Sequence, residues 1–235
     1  MIKEINMNQV KIGYKTGLLC LCIAIASALA GCVGISKSPA PRFYALKAGG
    51  GESQAKKYDA PANLVVGIGP VKVPEYLNRP QIVTALESNR LNIAEFDRWG
   101  ETLDLALPRV IAGNLAILLP KTTIETSPWN LSVPVKYQVL VTVTRLECSL
   151  DKEILLAAQW SLLDLETRSM VASEKSLIVR PVEPQGYAGL AAALSSACAA
   201  LSGEIAGRLA TLPSGNEKPA ADAGALPRHA DHGRR

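Results

Sequence analysis

VKYQVLVTVTRL (residues 135–146) and ILLAAQWSLL (residues 154–163) set the architecture of this chain. In the first, Val139, Val141 and Val143 alternate with Leu140, Thr142, Thr144 and, past Arg145, Leu146. In the second, Ile154, Leu156, Ala158, Trp160 and Leu162 alternate with Leu155, Ala157, Gln159, Ser161 and Leu163. Successive side chains of a strand point to opposite faces, so this period of two predicts two adjacent strands. Apolar residues occur in both alternating sets, which predicts a sheet covered on both sides. Met170–Arg180 is a third, more polar strand that suits a sheet edge. Upstream, Asn63–Val73 is rich in Val and Ile but interrupted by Gly67, Gly69 and Pro70, the pattern of a bulge or a close backbone approach. Gln81–Leu86 and Leu91–Phe96 form a hairpin about Glu87-Ser88-Asn89, and Arg42–Lys47 is a first strand. Two helices complete the pattern. Leu103, Leu107, Val110, Ile111, Asn114, Leu115 and Leu118 recur at three- and four-residue steps, ended by Pro120. Pro108 either bends this helix or restarts it. Tyr187–Ala210 carries Leu190, Leu194, Cys198, Leu201, Ile205 and Leu209 on one stripe. The expected fold is α/β: one domain, a mixed sheet with helices packed on it as a three-layer sandwich.

The N-terminus has a different logic. Lys3, Lys11 and Lys15 precede an uncharged run from Gly17 to Ala30, then small residues against a cysteine. That order is an export signal: basic region, apolar region, small-residue cleavage site. The run is too short for a membrane span, which needs about 20 apolar residues. Leu29-Ala30-Gly31-Cys32 resembles a bacterial lipobox. The resemblance implies thioether lipidation of Cys32, removal of residues 1–31 and acylation of the new amino terminus. Several acyl chains, at about 0.8 kcal/mol per buried methylene, would hold the protein on a membrane without spanning it. The expected division is therefore 1–31 signal peptide, 32–42 lipidated tether, 43–212 α/β domain and 213–235 disordered tail, the last rich in Ala, Gly, Pro and charge. The ten residues Val33–Arg42 reach roughly 35 Å when extended.

Composition excludes several functions. The net charge is +4, and loss of Lys3, Glu4, Lys11 and Lys15 with the signal halves it. No basic block recommends nucleic acid as a partner. The chain has two histidines, His229 and His232, both in the expected tail, leaving no histidine in the body as base or metal ligand. Gly67-Ile68-Gly69-Pro70 continues into β-branched residues rather than opening a helix, unlike a phosphate loop. Ser149-Leu150-Asp151-Lys152 has serine–lysine spacing but lies between two strands, not at a helix start. Asp97, Glu101 and Asp104 near Trp99 are a conceivable carboxylate pair, equally explained as acids at a helix N-terminus. No catalytic residue, metal site or cofactor is implied, and the chain reads as non-enzymatic. Cys148 and Cys198 either form a disulfide, permitted outside the cytoplasm, or stay as buried thiols.

Residues 66–102 read VGIGPVKVPEYLNRPQIVTALESNRLNIAEFDRWGET. With Phe43-Tyr44-Ala45-Leu46, Asn114-Leu115, Pro128-Trp129, Tyr137-Gln138-Val139, Ala158, Trp160 and Glu204-Ile205-Ala206, the order and spacing resemble the PqiC-like (YmbA-like) family of ABC-type transport auxiliary lipoproteins, associated with paraquat-inducible and other MCE-domain systems. Ala85 and Pro108 depart from the pattern. The resemblance implies a periplasm-facing α/β domain anchored in the outer membrane. It also implies partnership with an MCE-domain protein and an inner-membrane component in lipid transport or membrane integrity. Val33 after the lipidated cysteine is consistent with outer-membrane sorting.

The family motif contains residues suited to contact. Tyr76 and Arg79 lie in the proline-bracketed loop Pro74–Pro80, and Arg98 and Trp99 follow; Tyr, Trp and Arg are enriched at binding hot spots. These four are the candidate surface for a partner or a second protomer, a ring of copies being one expected assembly. Arg79, Arg90 and Arg98 could instead pair with Glu95, Asp97 or Glu101 within the chain. The rival functions are a carrier that encloses an acyl chain between sheet and helix, needing an apolar cavity of about 300 Å³ or more, and a structural lipoprotein acting on cell-wall assembly. Phospholipid is thus a conceivable ligand.

Overall fold

A computed structural model describes residues 38–49, 57–86 and 89–213. The signal segment with Leu29, Ala30, Gly31 and Cys32, most of the tether, the middle of the Gly49–Asp59 loop, the Glu87-Ser88 turn and the tail from residue 214 lie outside the described residues.

Eight strands and two helices follow the expected order with one addition. β1 (Arg42–Tyr44), β2 (Val65–Lys72), β3 (Gln81–Ala85) and β4 (Leu91–Trp99) lead into α1 (Leu103–Leu118); β5 (Thr123–Thr126), β6 (Tyr137–Cys148), β7 (Glu153–Asp164) and β8 (Ser169–Pro181) lead into α2 (Tyr187–Leu209). β5 is the addition. It has four residues and takes its extended form from pairing in parallel with β2, Val65 opposite Thr123 through Ile68 opposite Thr126.

The strands form two mixed sheets, ordered β5-β2-β6-β7-β8 and β1-β4-β3. In the larger, β6, β7 and β8 are an antiparallel meander and β2 runs parallel to β6. β8 is an edge strand, as its polarity predicts. The β2–β6 register shifts between Ile68 and Val71, where Gly69 has φ +102°, a conformation open mainly to glycine. Gly67 is bare for another reason: a Cβ there would lie 2.6 Å from the Trp129 ring. Both expected features of this stretch, bulge and close approach, are present.

The expected α/β fold, a mixed sheet with helices packed on it, is present, and the contacts fix where the helices lie. α1 packs on β2 and β5, α2 on β7 and β8, and the helices pack on each other. They therefore lie side by side over one face of the large sheet, not on opposite faces. That face carries Val66, Ile68, Val139, Val141, Ile154, Leu156, Trp160 and Leu162, all buried. On the other face Leu140, Leu155 and Leu163 are only half-buried, and Leu177 is exposed. α1 runs unbroken through Pro108, one turn and a half from its start. By length and hydropathy α2 could cross a bilayer, yet it is the core helix here, with 61% of its apolar window buried.

Candidate functional site

The four motif residues do not form one exposed cluster. Tyr76, in a single 3-10 turn (Glu75–Leu77), is 42% exposed. Its phenol is pushed above the ordinary value by burial and then by the Glu147 carboxylate. Glu147 is in turn paired with Arg145 on the same strand, 2.6 Å away. Arg79 and Arg98 are half-buried. Trp99 is 5% exposed, its backbone N–H donating to the Pro80 carbonyl at 2.7 Å. Its indole belongs to the core, which removes it from the candidate contact surface. Aromatic residues serve cores and interfaces alike, and their spacing does not separate the two.

The acids beside Trp99 have partners from elsewhere in the chain. Asp97 is buried, accepts from Arg42 Nη2 at 2.8 Å and from the Tyr44 hydroxyl at 2.8 Å. Glu101 accepts from Arg109 Nε at 2.8 Å. The expected pairings with Arg79, Arg90 and Arg98 are replaced by these. Tyr44 also packs on Tyr187, ring centroids 6.1 Å apart; burial, with the Asp97 charge behind it, pushes both phenols up. Residues 42–44 are thus fastened to β4 and to the start of α2.

The following residues are fastened to both helices. The Lys47 N–H donates to Ser195 Oγ at 3.1 Å, and the Gly49 N–H to Asn114 Oδ1 at 2.7 Å. Between them Ala48 lies so close to α1 that a Cβ on Gly113 would come within 2.8 Å of it. This segment forms one wall of an open-sided groove of about 1300 Å³ along α2. The end of β8, at Arg180 and Pro181, forms the other wall, and Ala192, Ser196, Ala199 and Gly203 the floor. Nothing in the motif reading pointed to it. The available signal is the run of small residues at 188, 192, 196, 199 and 203, one helical face with no charge on it.

Beneath the groove, Trp160 Nε1 donates to Ser176 Oγ at 3.1 Å, and Ser176 donates to Glu204. Cys148 and Cys198 are both free. The bridge allowed by the sequence is not formed: Cys148 ends β6 and Cys198 lies inside α2, each fully packed. Burial pushes each thiol up to about 12, so both stay neutral and unreactive at ordinary pH. Among the described residues no group of three or more His, Cys, Asp or Glu is placed to hold a metal.

The ABC-type transport auxiliary lipoprotein component family matches residues 44–206, from β1 almost to the end of α2. The chain belongs to that family. It is a family of membrane-anchored envelope proteins auxiliary to transport, not a family of enzymes. No curated protein matches. Among solved structures, the chain is similar to an uncharacterized protein at 20% identity, with TM-score 0.60, covering 73% of this chain and 99% of that one. It is also similar to protein XCC0632 from Xanthomonas campestris at 16% identity, with TM-score 0.56, covering 72% and 95%. At such identities these likenesses show the fold.

Proposed function

We propose that this chain is the outer-membrane, periplasm-facing lipoprotein subunit of an MCE-type envelope lipid transport system. It acts by binding rather than by catalysis. One observation carries the proposal: the family domain matched at residues 44–206 begins a dozen residues after the lipobox cysteine. In this reading Cys32 is the anchor and residues 33–42 the tether. The domain docks a periplasm-spanning MCE-domain partner that is joined to an inner-membrane component. Copies of the chain assemble as a ring, because a conduit crossing the periplasm needs an annular seat. Tyr76 and Arg79, on a loop stiffened by Pro74 and Pro80, are the contact residues that remain accessible, with Arg98 behind them.

The test is co-purification from crosslinked envelopes. An MCE-domain protein should be recovered with the tagged native chain, and Tyr76→Ala with Arg79→Ala should lower its yield severalfold. Repeated absence of any MCE-domain protein under crosslinkers of different reach would contradict the proposal. The groove along α2 favours a second element, direct contact with lipid.

A further inference from the structure

The groove holds two cations outside any ion pair and one amide donor without a partner among the described residues, above a floor of small residues. Lys47 and Arg180 come to the same turn of α2 from opposite walls: the Lys47 N–H bonds Ser195, and Arg180 Nε donates to Ser196 Oγ at 3.3 Å. Neither side chain enters an ion pair among the described residues. Asn114, also lining the groove, is 3% exposed, and its Nδ2 has no partner among the described residues. A buried donor left unpaired carries an unrecovered desolvation cost, which an acceptor carried by a ligand would recover.

The floor gives an independent sign. Glycine inside a helix is less favourable than alanine. A Cβ on Gly203 would meet nothing within 4 Å among the described residues, so none of their packing requires glycine there. On the same helix a Cβ on Gly189 would lie 1.5 Å from the Pro184 carbonyl oxygen. That glycine is demanded from within; Gly203 leaves room for something else.

We propose that the groove seats a glycerophospholipid from the anchoring membrane, its phosphate facing Lys47 and Arg180 and an acyl chain lying along Ala192, Ala199 and Gly203. The small-residue floor alone would admit a helix or an acyl chain equally. The two cations, in no ion pair among the described residues, and the Asn114 amide select an amphiphile with an anionic head and ester oxygens. Two acids also line the groove. Glu204 stands nine residues beyond Ser195, about 13 Å along the helix axis, and its carboxylate is engaged by Ser176; Glu183 lies past the end of β8. The source of the lipid rests on the anchoring part of the proposed function, because Phe43 and Tyr44 in the wall directly follow the tether. The binding does not rest on an MCE partner.

The full chain, purified from envelopes, is reconstituted into phosphatidylglycerol vesicles containing a diazirine-bearing acyl chain, irradiated and mapped by peptide mass spectrometry. Label should fall on peptides spanning residues 43–47 and 192–203. Gly203→Trp, whose ring obstructs the groove along its floor, should abolish it. Lys47→Glu with Arg180→Glu, which leaves the groove open, should lower labelling by about tenfold, the loss expected when charged hydrogen bonds are removed. Label that falls elsewhere, or that survives both the tryptophan and the charge reversal, overturns the proposal, whether the groove then holds the chain's own acyl groups or a protein segment. The assay uses this chain alone, so a missing partner cannot cause its failure, and its failure leaves the co-purification result standing.

Discussion

On its inward side α2 carries Leu190, Leu194, Cys198, Leu201, Ile205 and Leu209, none more than 1% exposed. On its outward side the same helix carries Ala188, Ala192, Ser196, Ala199 and Gly203, with open space above them. Inward, each large side chain meets partners supplied by β7, β8 and α1, and interiors packed to crystal density leave no slack. Outward, a surface helix ordinarily shows charge, as α1 does with Asp104 and Arg109. α2 shows neither bulk nor charge until Glu204. Residue size here records who supplies the contact: large where the chain packs on itself, small where a second molecule completes the surface.

Substitutions on the two sides should separate widely. Trp160→Ala empties the most voluminous fully buried site and removes the donor to Ser176, and should cost about 3–5 kcal/mol in urea unfolding; a loss under 1 kcal/mol would mean that the sheet–helix core is loosely packed. Gly189→Ala forces a Cβ into the Pro184 carbonyl and should cost about 3 kcal/mol, at the upper end for overpacking. Asp97→Ala leaves the Tyr44 hydroxyl without its acceptor while the exposed Arg42 guanidinium returns to water. About 1–2 kcal/mol should be lost, with the groove wall loosened. Gly203→Ala should instead raise stability, by up to about 1 kcal/mol. If Gly203→Ala destabilises as Gly189→Ala does, the contrast between the two faces fails.

The thiols extend the contrast to reactivity. Cys148 and Cys198 should resist iodoacetamide at pH 8 in the folded chain and react once it unfolds. Both are held neutral when folded, up to about 12. Their contribution to stability is therefore intact below the ordinary thiol range near 8.5 and is lost as pH rises from there toward 12. Rapid alkylation of the folded chain would place either residue nearer the surface than its packing allows.

The sheet and both helices were legible because their signals are periodic and local. The alternation in residues 135–163 gave β6 and β7 to within two residues, and the leucine stripe gave α2. β5 was not legible: Thr123–Thr126 is too short to show a period and becomes a strand only through β2. The side-by-side helices were hidden by Leu140, Leu155 and Leu163, whose apolarity suggested a helix on the second face, where none lies among the described residues. The Arg42–Asp97 pair was out of reach because 55 residues separate its members. The groove escaped because alanine in a helix reads first as a good helix former, and only the location of Lys47 and Arg180 across it gives the small residues meaning.

The account depends most on the anchor at Cys32. Intact-mass spectrometry of the native polypeptide purified from envelopes tests it directly. The expected species begins at Cys32 and carries a diacylglyceryl thioether and an acylated amino terminus. A species that retains residues 1–31, or that has an unmodified thiol at Cys32, would contradict it.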